Sequence, residues 1–309
     1  MSRALALHDG KAGNARQALA LARALDADAG EHLLQPRAPW RWLAPRVPPM
    51  ASRAFAALPA PPPALAIGCG RQAALATRLL RARGSRAVQI LDPRIDPRHW
   101  DLVIAPRHDG LRGDNVLQTL GSLHPVDAAW LQHARDAFPA LAALPAPHAV
   151  LLVGGPTRHA PLADADFAAL LRQLAALARA DAGSLSVVAS RRTPAAWRAA
   201  ITALDRDLPG LRWAGESDGA NPYAGLLAHA GRIACTPDSV NMLSEAAAVG
   251  VPVFAWKPDA ARGRLRWFVD ALLDAGHARA LDAAMAPYAA IPLRETARVA
   301  ELVRARLSP

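Results

Sequence analysis

Apolar and polar positions along this chain follow one repeating pattern. A run of about four or five apolar residues leads into a polar loop bearing glycine or proline, and a longer stretch of helical period follows. The runs at 3–7, 64–67, 87–91, 101–105 and 115–119 suit strands of a parallel sheet buried on both faces. Between them, 14–25 sets Ala18, Leu21, Ala22 and Leu25 on one helical face, and 72–83 and 126–138 read as further helices. A proline-interrupted stretch at 139–148 then breaks the pattern and reads as a linker. A second series starts at 150–153, with strands at 185–189, 211–214, 232–236 and 252–256 and helices at 164–180, 194–204, 221–229, 262–273 and 293–307. One more helix follows Asp238, with Met242, Leu243, Ala246 and Ala247 inward and Gly250 at its end. Strand, loop and helix in repeated alternation specify an α/β protein of two Rossmann-like domains. The first covers 1–143 and the second 144–309, with the last helix in a position to pack back onto the first domain.

Loops at the carboxyl ends of parallel strands are where such folds bind ligands. The first, HDGKAGN, supplies His8 and Asp9 as candidate bases, Lys11 as a cation, and Gly10 and Gly13 for close backbone approach. It is not a P-loop, whose lysine follows the second glycine. In the second domain, Gly154, Gly155, Thr157 and Arg158 leave one strand, and Ser190, Arg191, Arg192 and Thr193 leave the next. Two adjacent arginines can neutralise a diphosphate. Asp238 or Ser239 can cap the helix that follows 232–236, with capping the first role assigned to Asp238, since a carboxylate opposes phosphate. Ser239 and Asn241 then stand at a helix start whose free N–H groups and dipole favour anions. Glu245 lies seven residues beyond Asp238, roughly two turns along the same face, where a carboxylate can accept from ribose hydroxyls. The plainer reading makes Glu245 a solvated helix residue.

Composition narrows the field. A chain of 309 residues holds two domains of ordinary size, and 52% apolar residues exclude general disorder. No apolar run approaches the ~18–20 residues of a membrane span, and the N-terminus reads as a strand, not a signal peptide. Cys69 and Cys235, far apart and without metal-ligand spacing, point to reduced packing thiols in a cytoplasmic protein. The net charge of +10 is carried by arginine, with Lys11 and Lys257 the two lysines. It predicts attraction to anions, but no nucleic-acid-binding module is evident. The segment 36–63, with Trp40 and Trp42 beside Arg37, Arg41 and Arg46, reads either as a packed irregular loop closing the core or as a basic aromatic edge at a lipid surface. Asp164-Ala165-Asp166 has the spacing of a metal motif but opens a helix, where carboxylates complement the dipole, and no metal site is expected.

The order Ser-Glu-Ala-Ala-Ala-Val-Gly-Val-Pro-Val from Ser244 resembles the nucleotide-sugar element of GT-B glycosyltransferases. More closely, DSVNMLSEA resembles the signature of the mitochondrial-fission "elongated mitochondria" family. DGKAGN, LDPR, APRHDG, VGGPTRH, SRRTP and NPYAGLLAHA follow that family's order over nearly the whole chain. The resemblance implies a GT-B-like arrangement with an interdomain cleft. It implies a nucleotide-sugar as donor substrate with no other cofactor, metal-independent glycosyl transfer, and an acceptor, lipid-linked or other, held by the first domain. Related GT-B sequences often have His where this chain has Asn14, which leaves His8 or Asp9 as the base. A nucleotide-sugar epimerase of the same fold and a non-catalytic recruitment scaffold are the alternatives. The expected location is cytoplasmic, at most peripheral to the inner face of the membrane.

Overall fold

The structure, a computed structural model, describes residues 4–307. Arg3, assigned to the first strand from the sequence, lies outside the described residues. The first unit opens with β1 (Ala4–His8), α1 (Ala12–Leu25), β2 (Gly30–Leu33) and the one-turn α2 (Trp40–Leu43). It continues through β3 (Leu65–Cys69), α3 (Arg71–Arg81), β4 (Arg86–Ile90), β5 (Leu102–Pro106) and β6 (Val116–Thr119). These strands form one parallel sheet in the order β2-β1-β3-β4-β5-β6. Chain order reverses between β1 and β3, so the loops after those two strands flank the switch point. β2 was not foreseen. Its sequence GEHL carries two polar residues on a half-exposed edge, without the apolar run of the buried strands.

The second unit runs from α4 (Ala128–Ala137) through β7 (His148–Val153), α5 (Asp164–Ala180), β8 (Ser184–Ala189), α6 (Ala195–Thr202) and β9 (Arg212–Trp213). It ends with α7 (Tyr223–His229), β10 (Arg232–Cys235), α8 (Val240–Ala247), β11 (Val253–Ala255), α9 (Arg264–Asp274) and β12 (Arg279–Ala280). Its six strands are also parallel, ordered β12-β11-β10-β7-β8-β9, with the switch point between β7 and β10. One face of this sheet is sealed by Phe167 stacked on Trp197 at 4.1 Å between ring centroids, with Trp256 edge-on to both. β12, two exposed residues long, left no readable signal in the sequence.

The chain divides between Pro125 and Val126, ahead of the prolines at 139–148. The difference has a packing cause. α4 lies against α7, and the Arg135 Nε–H donates to the Ala228 carbonyl at 3.1 Å, which ties α4 to the second unit. The last helix, α10 (Glu295–Leu307), belongs to the first unit. There Val299, Ala300 and Val303 are buried with Ile67, Val88 and Ile104. Glu295 accepts from the Leu120 N–H at 2.7 Å, and the Thr296 hydroxyl donates to the His124 carbonyl at 2.7 Å.

At the start of β7, His148 is buried in a fully paired chain of hydrogen bonds. The Leu211 N–H donates to Ser186 Oγ at 2.9 Å, Ser186 Oγ lies 2.8 Å from His148 Nε2, and His148 Nδ1 faces the His229 carbonyl at 3.2 Å. A neutral imidazole with its proton on Nδ1 satisfies every partner. Burial pushes the His148 imidazole below its ordinary range, against the hydrogen bond to the His229 carbonyl. The unfolded chain, with a histidine near pKa ~6.5, therefore takes up the proton first, and stability is lost as pH falls below that value. Urea melts at pH 7 and pH 5 should show wild type losing more stability than His148→Gln; equal losses would mean that His148 does not titrate on unfolding.

Candidate functional site

In the second unit, the loops leaving β7, β8 and β10 gather at the switch point around one carboxylate. Asp238 has a fully buried side chain. Its Oδ1 accepts from the Thr236 hydroxyl at 2.7 Å, its carboxylate also accepts from the Gly155 N–H, and its Oδ2 pairs with Arg192 Nη2 at 2.5 Å. Burial pushes the Asp238 carboxyl above its usual range, and the bond from Thr236 and the charge of Arg192 offset only part of that. Thr236 Oγ1 in turn accepts from the Gly154 N–H at 2.8 Å. Any side chain at position 154 would collide with the Asp238 carboxylate, which explains the glycine.

The β8 loop is fixed just as firmly. The Thr193 hydroxyl donates to the Gly154 carbonyl at 2.6 Å and accepts from the Ser190 N–H at 2.9 Å. From α6, the Arg198 guanidinium donates to the Thr193 carbonyl at 2.9 Å, the Ser190 carbonyl at 2.5 Å, and the Ala214 carbonyl. One arginine thus holds both ends of SRRTP and the end of the neighbouring strand.

Several sequence-derived roles change. Asp238 does not cap α8; Ser239 does, accepting from the Met242 N–H at 3.4 Å, while Asp238 turns inward to Thr236, Gly155 and Arg192. Gly154, Gly155 and Arg192, expected to receive an external anion, direct those donors to Thr236 and Asp238 of the same chain. The Thr157 hydroxyl closes its own turn, accepting from the His159 N–H at 3.2 Å and the Ala160 N–H at 3.0 Å. Arg158 reaches His159 Nε2 at 2.9 Å and is exposed, as is Arg191. Ser190, Ser239 and Asn241 are half-buried, the last two at the start of α8. Glu245 is not a solvated helix residue: it is 2% exposed, and its Oε2 accepts from the Tyr223 hydroxyl at 2.6 Å. The roles of Thr236, Arg198 and Tyr223 were missed. Thr236 stands at the strand end and Tyr223 within NPYAG, both visible as polar residues in apolar surroundings; Arg198 gives no local signal on its helix.

The switch point of the first unit holds His8 and Asp9. His8 is buried, with Nε2 2.8 Å from Glu31 Oε1 and Nδ1 accepting from the Gly10 N–H at 3.1 Å. Asp9 accepts from the Asn14 amide at 2.9 Å and pairs with Lys11 Nζ at 2.9 Å. Burial raises the Asp9 carboxyl, but the bonds from Lys11 and Asn14 together outweigh it and hold the group below its usual range. Asn14 Oδ1 receives the Cys69 thiol at 3.7 Å, and burial pushes that thiol far up, out of reach of thiolate chemistry. Gly70, at φ +88°, passes so close that a Cβ would lie 2.5 Å from Asn14 Nδ2. Asn14, at the position where related sequences often have His, is the strut between the β1 and β3 loops. Asp164 and Asp166 do not converge: the first accepts from Trp197 Nε1 at 2.7 Å, and the second pairs with Lys257 at 2.5 Å.

Residues 12–307 match the family described as Mitochondrial fission ELM1. The mitochondrial fission protein ELM1 of Arabidopsis thaliana is 30% identical over 277 residues, covering 80% of this chain and 64% of that protein, so the chain spans less than two thirds of that relative's length. Among solved structures, Os79 from O. sativa in complex with U2F and trichothecene aligns with a TM-score of 0.53 at 14% identity, over 98% of this chain and 91% of that one. MurG of Acinetobacter baumannii gives 0.50 at 15% identity, over 99% and 91%. The UDP-GlcNAc 2-epimerase of Methanocaldococcus jannaschii gives 0.51 at 10%, over 97% and 99%. At these identities the likeness is one of fold, α/β and GT-B-like.

The fit of Gly154 against Asp238 is open to direct test. Gly154→Ala should cost stability in wild type and cost at least ~1 kcal/mol less in an Asp238→Ala background, where the obstructing carboxylate is gone. Equal costs in both backgrounds, measured by urea denaturation, would refute the close packing.

Proposed function

The chain belongs to the mitochondrial fission ELM1 family, and from that membership and the geometry of its second sheet we propose that it binds a nucleotide-sugar there and transfers the sugar without a metal ion. One observation carries the reading. α8 starts at the carboxyl end of β10, beside the switch point, and holds a buried carboxylate, Glu245, along its length. In this proposal the diphosphate lies at the start of α8, near Ser239 and Asn241, where unpaired N–H groups and the helix dipole favour negative charge. Arg191 and the half-exposed Arg192 add positive charge to the leaving diphosphate, the role that a metal plays elsewhere. Glu245 accepts from the ribose hydroxyls, and Tyr223, already bonded to it, orients the carboxylate. The fold is shared with Os79, whose structures hold U2F or UDP, which supports a uridine nucleotide as the first ligand to try. Its likeness to an epimerase leaves product analysis to separate transfer from epimerisation.

A second reading, a binding scaffold without catalysis, is favoured by the first unit. The acceptor nitrogen of His8 is used by the Gly10 N–H, and Asp9 is held as a weakly basic carboxylate by Lys11 and Asn14. Neither side chain is poised to take a proton in this arrangement.

Titration calorimetry of UDP into wild type, Glu245→Gln and Glu245→Ala tests the nucleotide reading. Charge-assisted hydrogen bonds contribute about 1.5–3 kcal/mol, so Glu245→Ala should weaken binding on the order of tenfold to a hundredfold, with Glu245→Gln in between. Both variants should also melt lower than wild type, because the Tyr223 hydroxyl loses its carboxylate. Lower melting with unchanged UDP affinity would leave Glu245 with a purely internal role.

A further inference from the structure

The segment between β2 and β3 turns one side inward and leaves the other uncovered. Inward, Leu34, Ala44, Ala51, Ala54 and Phe55 are buried against Leu75 and Leu80 of α3, with Trp40 packed beside them. The Arg78 guanidinium donates to the Pro45 carbonyl at 2.7 Å and that of Arg71 to the Arg41 carbonyl at 3.4 Å, which pins the segment to α3. Outward, Trp42 and Met50 are each 61% exposed, with Leu43 and Val47 exposed between them. Of the seven exposed large hydrophobic side chains among the described residues, these four fall within 42–50, a cluster and not the scatter of an ordinary surface. The Arg41 guanidinium lies 4.9 Å from the Trp42 ring centroid. Residues 32–64 carry Arg37, Arg41, Arg46 and Arg53 and no acidic residue at all.

We infer that this face docks on the surface of an anionic lipid bilayer, with Trp42, Leu43, Val47 and Met50 entering the headgroup boundary and the arginines meeting lipid phosphates. The inference depends on no part of the nucleotide reading. An apolar tip on a segment that carries four arginines and no carboxylate matches the layered chemistry of such a surface: negative headgroups outside, acyl chains beneath. A second copy of the chain fits poorly, because a two-fold contact would set the same arginines against each other. A soluble polyanion accounts for the arginines but leaves the apolar side chains without a partner. Among the described residues no helix is long and apolar enough to cross a membrane, so the contact is peripheral. The segment's hold on α3 means that it reaches the bilayer already folded and loses little conformational entropy there.

The test is sedimentation of the whole chain with vesicles of phosphatidylcholine alone or mixed with phosphatidylglycerol. Wild type should sediment with the anionic vesicles at low salt, much less with neutral ones, and be released by added salt. Removing two arginine charges (Arg41→Ser with Arg46→Ser) should lower partitioning on the order of thirtyfold. Trp42→Ser with Met50→Ser should lower it by about tenfold or more. Trp267→Ser, which removes an equally exposed tryptophan on α9, should leave it unchanged. Trp42→Phe guards against misfolding as an explanation: it keeps the packing, yet should abolish the quenching of wild-type fluorescence by lipids brominated on their acyl chains. No sedimentation with anionic vesicles overturns the inference. So does binding that depends on the arginines but not on Trp42 and Met50, or self-association without vesicles.

Discussion

A buried carboxylate sets the terms for the second unit. Asp238 has no exposed side-chain surface, and an ionised group in that position is tolerable only when donors surround it. Thr236, Gly155 and Arg192 supply them, and each comes from a different loop or strand end. Satisfying one residue therefore fixes three connections at the switch point. Beside it, Ser239 and not Asp238 caps α8. Glu245 is carried on that helix, where it accepts from the Tyr223 hydroxyl. Arg192 already has a counter-ion from its own chain in Asp238.

The first unit solves a similar problem with a neutral group. Asn14 donates to Asp9 and accepts from Cys69, joining the β1 and β3 loops without adding a charge to them. A histidine in its place would have to share space with Gly70, whose backbone runs against the Asn14 amide. The asparagine is thus matched to its surroundings, and the polar groups of the loop are paired within the chain. That is the physical basis for weighing a binding role alongside a catalytic one.

Much of this architecture was legible in the sequence because parallel strands buried on both faces read as unbroken apolar runs. β2 and β12 escaped because they lie at sheet edges, one with two adjacent polar residues in its four and the other only two residues long. The prolines at 139–148 suggested a boundary, but α4 joins the second unit through packing on α7 that no local pattern announces. The loops of the candidate site could be named from topology alone, since they follow strands whose ends face ligands in this class of fold. What spacing cannot reveal is which way a polar side chain turns. Asp238 and Ser239 are adjacent and chemically equivalent as caps, and only the donors waiting inside decide between them. Glu245 posed the same ambiguity: helical period gives a face, but not what lies against it.

The return of α10 to the first unit has a consequence for how the protein comes into being. The core around Ile67, Val88 and Ile104 is closed by Val299, Ala300 and Val303, and the Leu120 N–H at the end of β6 finds its acceptor in Glu295. During synthesis, every residue of the second unit leaves the ribosome before those pieces exist. The unit that begins first is therefore completed last, and it waits through some 168 residues of intervening chain with part of its apolar core uncovered (Val126–Leu293). Domains usually mature in the order in which they are translated. Here the order is inverted, and a stalled or truncated nascent chain would expose the first sheet while presenting a finished second one.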